Sequence, residues 1–363
     1  EARKSLTKLR GRDLNLAELR QLEHQRAAAR CELHATINDV MYGVVESFLN
    51  LRQQDANLTI QEQSLEQVKE LVEITRKRML VGRAVEAQLI KDQSQLARQK
   101  EELIVTRANR EQACDQLLQL ICPDPEERPD PSRLEAILEI PKVLEREINF
   151  TGLSRSARQK RPEVLAMLCQ MRSQDLALRL ARDGVKPTFD VVAGFGLQAN
   201  DGTFSDANSA VGTLDYPVYT LGLQYSIPLG MRASKGRMRR AKLEREELDV
   251  RLLELEAAIE LEVRQALRGL RSSMERMAAA RSTVNFAERS YTNEKLLYRQ
   301  GRTTPFQVNE YRIDLDDARL RLAEAMRDYL LALAAIRKAE GTLPDIFAKK
   351  GRLNAKTLAF GLE

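Results

Sequence analysis

Two long segments of the chain contain almost no residues that interrupt an α-helix. Residues 12–81 include no proline and one glycine, Gly43, and residues 232–299 include no proline and only Gly236 and Gly269. Proline removes a backbone donor and clashes with the preceding turn, and glycine weakens a helix through its backbone entropy. Each segment can therefore form one helix of about 70 residues, which is on the order of 100 Å long.

Both segments end at a glycine that is followed by an arginine and then by a second stretch of periodic apolar residues. The two glycines are Gly82 and Gly301. Glycine commonly ends a helix because it adopts the left-handed conformation without strain, so each predicts the turn of a helical hairpin. In the second hairpin, Thr304 and Pro305 are the residue types preferred at an N-cap and at a first helical position.

The helices expected after the two glycines carry heptad patterns, which indicate close packing against partner helices. After Gly301, one column recurring every seven residues is apolar: Val308, Leu315, Leu322, Tyr329 and Ile336. A second column consists mostly of small residues: Tyr311, Ala318, Ala325, Ala332 and Ala339. After Gly82 the corresponding column is Leu89, Leu96, Leu103 and Leu117, with Arg110 interrupting it.

The two hairpins form an internal repeat with an offset of 219 residues, the separation of Gly82 and Gly301. Without any gap, this offset aligns Leu33 with Leu252, Val44 with Val263, Leu51 with Leu270, Gln88 with Gln307, Leu96 with Leu315, Leu103 with Leu322 and Ala113 with Ala332. Unrelated coiled coils share some apolar columns, but the common Gly-Arg turn in one register favours duplication.

Between the repeats the apolar period changes to two residues, which predicts strands. The apolar side carries Phe189, Val191, Ala193, Phe195 and Leu197, and then Tyr219, Leu221, Leu223, Tyr225 and Ile227. Strands of about ten residues with aromatic residues near their ends suit a membrane, and the polar composition of residues 200–215 predicts a loop between them. The alternative, a hairpin in water, would need another element to cover the apolar side.

Charge balance and residue usage exclude several functions. The 58 Lys and Arg nearly balance the 53 Asp and Glu, and acidic residues directly follow the basic clusters, so we predict no nucleic-acid partner. His24, His34 and the four cysteines lack the spacing of a metal site or a disulfide framework, and the cysteines are expected to be buried or unpaired helical thiols. The sequence contains no stretch of about 18 apolar residues, so no transmembrane helix is predicted.

No sequence motif indicates catalysis. A glycine-rich match to the dinucleotide-binding pattern, at residues 194–199, is followed by a polar loop instead of the helix that would receive the pyrophosphate. No nucleophile elbow, P-loop or zinc-protease motif is present. We therefore predict a protein that is not an enzyme and that needs no cofactor or metal.

Several short motifs surround the predicted helices and strands. They are Arg161-Pro162-Glu163, Lys186-Pro187-Thr188, Ile227-Pro228-Leu229-Gly230, Tyr298-Arg299-Gln300-Gly301-Arg302-Thr303-Thr304 and Ala339-Glu340-Gly341-Thr342-Leu343. Together with the repeated long helices, these motifs resemble the outer-membrane efflux proteins of the TolC type. The resemblance covers nearly the whole chain.

The resemblance implies a mainly α fold. Long antiparallel coiled-coil helices of three copies would form a trimeric α-barrel, and a β-hairpin of each copy would contribute to a shared transmembrane β-barrel. The implied function is an outer-membrane channel subunit of a multicomponent efflux or type I secretion system. Such a channel is a passive exit duct for small molecules or polypeptides, projects into the periplasm and is gated at its periplasmic tip.

The implied partners are two further copies of the chain, a periplasmic adaptor protein, an inner-membrane pump and outer-membrane lipid. The alternative is a periplasmic coiled-coil scaffold or adaptor subunit without a pore. An adaptor would need β-rich domains that one strand pair cannot supply, and a scaffold leaves the two amphipathic strands unexplained.

The expected segments follow from these elements. They are a first helical hairpin (1–121), a proline-rich equatorial connector (122–152), a helix (153–185), a membrane-spanning hairpin (186–228), a second helical hairpin (229–342) and a tail (343–363). Family members contribute four strands per protomer, whereas the offset places the counterpart of the second strand on residues 2–8, which are too polar for it. A helix and a hairpin are therefore expected upstream of Glu1.

The resemblance also implies site residues. Candidates for the periplasmic gate and pore are Gln88, Lys91, Tyr298, Gln307 and Glu310, of which Glu310 keeps one acidic ring of the family. Candidates for adaptor docking at the tips are Gly82, Arg83, Ala84, Gly301, Arg302 and Thr303. Candidates for the membrane strands are Phe189, Val191, Phe195, Leu197, Tyr219, Leu221, Leu223 and Tyr225.

Overall fold

A computed structural model describes residues 2–7, 12–82, 84–122, 124, 126, 128–130, 149–197, 217–227 and 230–345. In chain order the elements are β1 (Ala2–Ser5), α1 (Arg12–Asn15), α2 (Ala17–Leu80), α3 (Glu86–Ile121), α4 (Phe150–Lys160), α5 (Pro162–Asp183), β2 (Thr188–Leu197), β3 (Pro217–Ser226), α6 (Arg232–Arg299) and α7 (Pro305–Glu340). None of these helices has a stretch apolar enough to cross a membrane.

The chain divides into two compact units, each made of two segments. The first unit comprises Glu1–Leu33 and Pro162–Ala257, and the second comprises His34–Arg161 and Ala258–Glu363. The first therefore holds the strands, and the second holds both helical turns.

The long helices confirm the sequence repeat. Helix α2 has 64 residues and α6 has 68, and each of α3 and α7 has 36. The ends of α2 and α6 differ by the same offset of 219 residues as Gly82 and Gly301, and so do both ends of α3 and α7. One prediction was too simple: the first long helix is interrupted near its start, because α1 ends at Asn15 and α2 begins at Ala17.

Both predicted turns have the conformation that requires glycine. Gly82 has φ of 69° and Gly301 has φ of 75°, which is left-handed backbone. At the second turn, Arg302 N–H donates to the Leu297 carbonyl over 2.9 Å and Gly301 N–H donates to the Tyr298 carbonyl over 3.0 Å. This pair of bonds is the Schellman motif, which satisfies the last carbonyls of the helix.

The start of α7 confirms the predicted cap. Thr304 is the N-cap, its hydroxyl accepts a hydrogen bond from Gln307 N–H over 3.4 Å, and Pro305 occupies the first turn. A threonine cap satisfies one of the free amide groups at a helix start, and proline there loses no hydrogen bond.

In the first unit, β1, β2 and β3 form an antiparallel sheet in that order. The ladder of β2 and β3 runs from Thr188 opposite Ser226 to Leu197 opposite Pro217, so the predicted hairpin is confirmed. Two aromatic pairs cross it: the ring centroids of Phe189 and Tyr225 are 6.1 Å apart, and those of Phe195 and Tyr219 are 5.4 Å apart.

The prediction that residues 2–8 are too polar to form a strand was wrong for Ala2–Ser5. This segment is β1 and pairs with β2, and the Arg3 guanidinium donates to the buried Asp190 carboxylate. Ala2 and Leu221 both lie opposite Ala193, and they differ by the repeat offset. The repeat therefore extends into the sheet, where backbone pairing and an ion pair replace the apolar side chains that the sequence lacks.

In the second unit, α2 packs along α7. The heptad column on α7 is largely buried, with Val308, Leu315, Tyr329 and Ile336 at most 6% exposed. The Arg312 guanidinium, 3% exposed, donates to Asp316 over 2.6 Å and also contacts the Ser64 hydroxyl on α2. Burial lowers the pKa of Arg312, although the Asp316 and Tyr291 charges oppose this effect.

Helix α3 packs on α2 through a second cluster. Leu51 meets Ala113, Cys114, Leu117 and Leu118 there. Arg110, which interrupts the heptad column, is buried and pairs with Asp55 on α2 over 2.9 Å. A charged residue can occupy this position because its partner lies on the facing helix.

The predicted break at Arg161-Pro162-Glu163 separates α4 from α5. Helix α4 contacts the end of α7, where the Ser156 hydroxyl donates to Glu340 over 2.7 Å. Burial would raise the pKa of Glu340, but hydrogen bonds from Ser156 and Thr342 and the charges of Lys160 and Arg337 outweigh it, so the pKa is lowered. The four cysteines all lie in the described ranges, and no disulfide joins them.

Candidate functional site

The two helical turns lie close together within the second unit. The Arg78 guanidinium on α2 donates to the Tyr298 carbonyl on α6 over 3.3 Å. The Lys91 ammonium on α3 is 4.0 Å from the centre of the Phe306 ring on α7. Side chains from both repeats therefore meet where the chain reverses. We call the group Thr75, Arg78, Gln88, Asp92 and Tyr298 the turn site.

Tyr298 is the apolar centre of the turn site. Its side chain is 4% exposed and packs with Leu71 and Val308. The Arg78 guanidinium carbon is 4.0 Å from the ring centre, in a cation–π arrangement. Burial raises the pKa of the Tyr298 phenol, with a further contribution from Asp92, while Arg78 and Thr75 oppose the shift. The phenol is therefore neutral at ordinary pH.

Asp92 is the polar centre of the turn site. It is 7% exposed and accepts hydrogen bonds from the Thr75 hydroxyl over 2.7 Å and from the Gln88 amide over 3.0 Å. Thr75 lies on α2, so this bond links the two helices of the first hairpin. Hydrogen bonds to a charged group are stronger than neutral ones, and the bond therefore stabilises the closed turn.

An open recess of about 410 Å³ lies beside the turn site. Its walls come from both hairpins and include Thr75, Arg78, Gly82, Ala84, Val85, Gln88, Tyr298 and Pro305. A Cβ at Gly82 or Gly301 would have no atom within 4 Å. Both turns are therefore open on their outer side.

The structure brings together only part of the predicted gate. Gln88 and Tyr298 belong to the turn site, and Lys91 lies on Phe306 beside it. Gln307 is exposed in the first turn of α7, where its side chain is 2.5 Å from the Thr303 hydroxyl. Glu310 is exposed on α7. Of the predicted tip residues, Gly82, Gly301 and Arg302 are exposed, Ala84 and Thr303 are half-buried, and Arg83 lies outside the described residues.

Sequence reasoning missed Thr75, Arg78 and Asp92. A usable signal exists for two of them. Thr75 follows the buried Leu71 by four positions, and Asp92 follows the buried Leu89 by three, so each polar residue lies on an apolar helix face. Two hydrogen-bonding residues on facing apolar seams at similar distances from a turn predict a polar contact across it.

The predicted membrane strands expose their apolar side. Phe195 is 57% exposed, Tyr219 77%, Leu221 82%, Leu223 70% and Tyr225 60%. Phe189 and Val191 are half-buried, and Leu197 is the last residue of β2. An apolar surface of this kind on a sheet marks contact with a membrane or another protein.

Long paired helices that turn at glycines, together with amphipathic strands at the repeat boundary, define the class of outer-membrane channel subunits. Residues 153–342 match the family model of the outer membrane efflux protein. The chain belongs to this family. It is an outer-membrane efflux channel subunit that extends into the periplasm. The family match therefore favours the channel over the alternative of a scaffold or adaptor without a pore.

Solved structures agree with this fold. The Campylobacter jejuni CmeC outer membrane channel is 16% identical with a TM-score of 0.74, and the match covers 99% of this chain and 75% of CmeC. Vibrio cholerae VceC, an outer membrane protein, is 16% identical with a TM-score of 0.73, and the match covers 94% of this chain and 78% of VceC. The open state of the Neisseria gonorrhoeae MtrE outer membrane channel is 16% identical with a TM-score of 0.73, and the match covers 93% of this chain and 74% of MtrE. The search of curated proteins found no match.

Proposed function

We propose that three copies of the chain enclose a passive exit duct for small molecules or polypeptides in an efflux or type I secretion system. The observation that carries this proposal is the apolar surface left on helices whose other sides are packed. On α3, Ile90 is 58% exposed, Ile104 67% and Val105 54%, and on α6 Leu261 is 51% exposed. Copies of the same chain would cover these residues.

The sheet supports the same assembly. Within the described residues, β3 pairs only with β2, so its other edge carries no ladder partner. An open edge beside exposed apolar side chains favours pairing with a neighbouring strand. A shared barrel, with lipid against Tyr219, Leu221 and Leu223, would complete that pairing and remove the edge.

The turn site is the proposed gate. Tyr298 joins the second hairpin to the first through Arg78 and Leu71, and the Thr75–Asp92 hydrogen bond keeps the two helices of the first hairpin together. Opening would require the two hairpins to separate at Tyr298. Glu310 is exposed near the same end and would form a ring of three carboxylates in a trimer, which would favour cations.

The turns are the proposed docking points for a periplasmic adaptor that connects the channel to an inner-membrane pump. Gly82 and Gly301 are exposed and leave open space for a partner backbone. Arg302 and Thr303 beside Gly301 would supply polar contacts. After Gly82, Arg83 would supply a charge and Ala84 an apolar contact.

Conductance across a planar lipid bilayer tests the duct. The purified protein should insert as a trimer with low conductance, and Asp92→Ala should raise the conductance because the Thr75 bond is lost. The exposed Asp115 on α3 provides the matched control, Asp115→Ala, which should conduct like the unaltered protein. Trimers that insert but conduct nothing in any variant would refute the duct.

A further inference from the structure

A groove of about 390 Å³ runs along the seam between α2 and α7, away from the turn site. Its apolar wall includes Leu49, Ile60, Leu322 and Met326. Leu49 is 1% exposed and so forms part of the floor. The volume lies in the range of small-molecule sites, which extends from about 300 to 1,000 Å³.

The groove exists because small residues interrupt the packing of the seam. Ala56 on α2 and Ala323 on α7 both line it. Towards the turns, larger and polar side chains close the same seam, where Arg312 contacts Ser64. Two alanines therefore leave a defined recess between segments of continuous packing.

Three guanidinium groups border this apolar recess, from Arg52, Arg319 and Arg327. Arg319 pairs with Glu288 over 2.7 Å, and Arg327 pairs with Asp328 over 2.7 Å. All three arginines are half-buried. Arg52 differs from the other two because it has no ion pair or hydrogen bond with any residue that the structure describes. Burial lowers the pKa of Arg52, and no neighbouring charge contributes to the shift.

A cation that loses water without gaining an acceptor is unfavourable unless a ligand supplies one. Guanidinium matches carboxylate, phosphate and sulfonate groups through parallel hydrogen bonds. The apolar wall beside it matches an acyl chain or an aromatic ring.

We propose that this groove binds an amphiphilic organic anion, with its acidic head on Arg52 and its apolar body against Ile60, Leu322 and Met326. Arg52 is the specificity-determining residue, and Ala56 and Ala323 provide the space. The site lies outside the turn site and does not depend on the gate.

The test uses the purified full-length protein, held in an amphipathic polymer without detergent. The probes are the fluorescent sulfonate 1-anilinonaphthalene-8-sulfonate and the uncharged N-phenyl-1-naphthylamine. Arg52→Gln should weaken sulfonate binding about tenfold or more, because a charge-assisted hydrogen bond is lost. The same variant should leave binding of the uncharged probe unchanged.

Two further variants make the test specific. Ala323→Leu fills the recess and should weaken the binding of both probes. Arg98→Gln removes an exposed arginine on α3 and should leave the binding of both probes unchanged. Equal sulfonate affinity in the unaltered protein and Arg52→Gln would overturn the proposal. Equal losses for both probes in Arg52→Gln would also overturn it, because the charge would then have no specific role.

Native mass spectrometry of protein extracted from cells distinguishes two sources of the ligand. A copurified fatty acid or phospholipid that is absent from Arg52→Gln identifies a membrane lipid as the occupant. An empty groove combined with slower efflux of an anionic detergent by Arg52→Gln identifies exported cargo, and this second result rests on the proposed duct. Failure of the duct would leave the binding measurement intact, so the two proposals fail separately.

Discussion

Replacement of Tyr298 by alanine removes the apolar centre of the turn site. The ring is 4% exposed, packs with Leu71 and Val308, and carries the Arg78 guanidinium 4.0 Å from its centre. Removal of a buried aromatic side chain costs about 3–5 kcal/mol. The equilibrium for local opening should therefore rise by about two to four orders of magnitude.

The conservative variant separates the role of the ring from that of the hydroxyl. Tyr298→Phe keeps the contacts with Leu71, Val308 and Arg78. The Thr75 hydroxyl donates to Asp92 over 2.7 Å, so it keeps its partner when the phenol hydroxyl is removed. The loss of stability against local opening should therefore be no more than about 1 kcal/mol. Packing, not a hydrogen bond from the phenol, would then hold the hairpins together at this point.

Hydrogen exchange of backbone amides at the end of α6 and the start of α7 measures this local opening. Tyr298→Ala should lose protection there, Tyr298→Phe should retain it, and Leu80→Ala serves as the control because Leu80 is 77% exposed. In a bilayer, the alanine variant should also conduct more than the phenylalanine variant. Equal loss of protection in the alanine and phenylalanine variants would refute the packing argument.

Four further predictions concern docking, selectivity and stability. Gly301→Trp should stop export, because a large side chain at this exposed turn of positive φ would block the approach of the adaptor. Cross-linking should still detect trimers, because the space around the turn is open; normal export would exclude docking at this turn. Glu310→Gln should reduce cation preference in reversal-potential measurements, and an unchanged potential would argue against a carboxylate ring. Arg312→Met should lower the thermal midpoint, because it leaves the buried Asp316 unpaired at a cost of about 3–5 kcal/mol, whereas Arg312→Met with Asp316→Leu should lower it less; equal losses would contradict the buried-pair account. Glu340 has a lowered pKa, so the stability it provides is present above about pH 4.5 and is lost as the pH falls through the lowered value; the unfolding midpoint of Glu340→Gln should depend less on pH in this range, and an unchanged pH profile would count against the Glu340 network.

The helical half of the fold follows from local features of the sequence. The scarcity of proline and glycine predicted the long helices, and Gly301 with Thr304 and Pro305 predicted both sides of the second turn. These features act within a few residues, so one sequence suffices to recognise them. The two-residue period likewise located β2 and β3.

Contacts between distant residues explain what the sequence did not predict. Strand β1 has no apolar pattern, and it forms because its backbone pairs with β2 and because Arg3 meets Asp190 far along the chain. Thr75 and Asp92 become partners only after the hairpin closes at Gly82. Arg52 resembles other helical arginines in the sequence, and only the groove between α2 and α7 distinguishes it.

The assembly of three copies around one duct is the central claim, and single-particle imaging of the purified protein tests it most directly. The account predicts threefold particles in which the long helices form one tube, closed at the end that holds Gly82 and Gly301. Monomers or dimers with separate helical hairpins would contradict it.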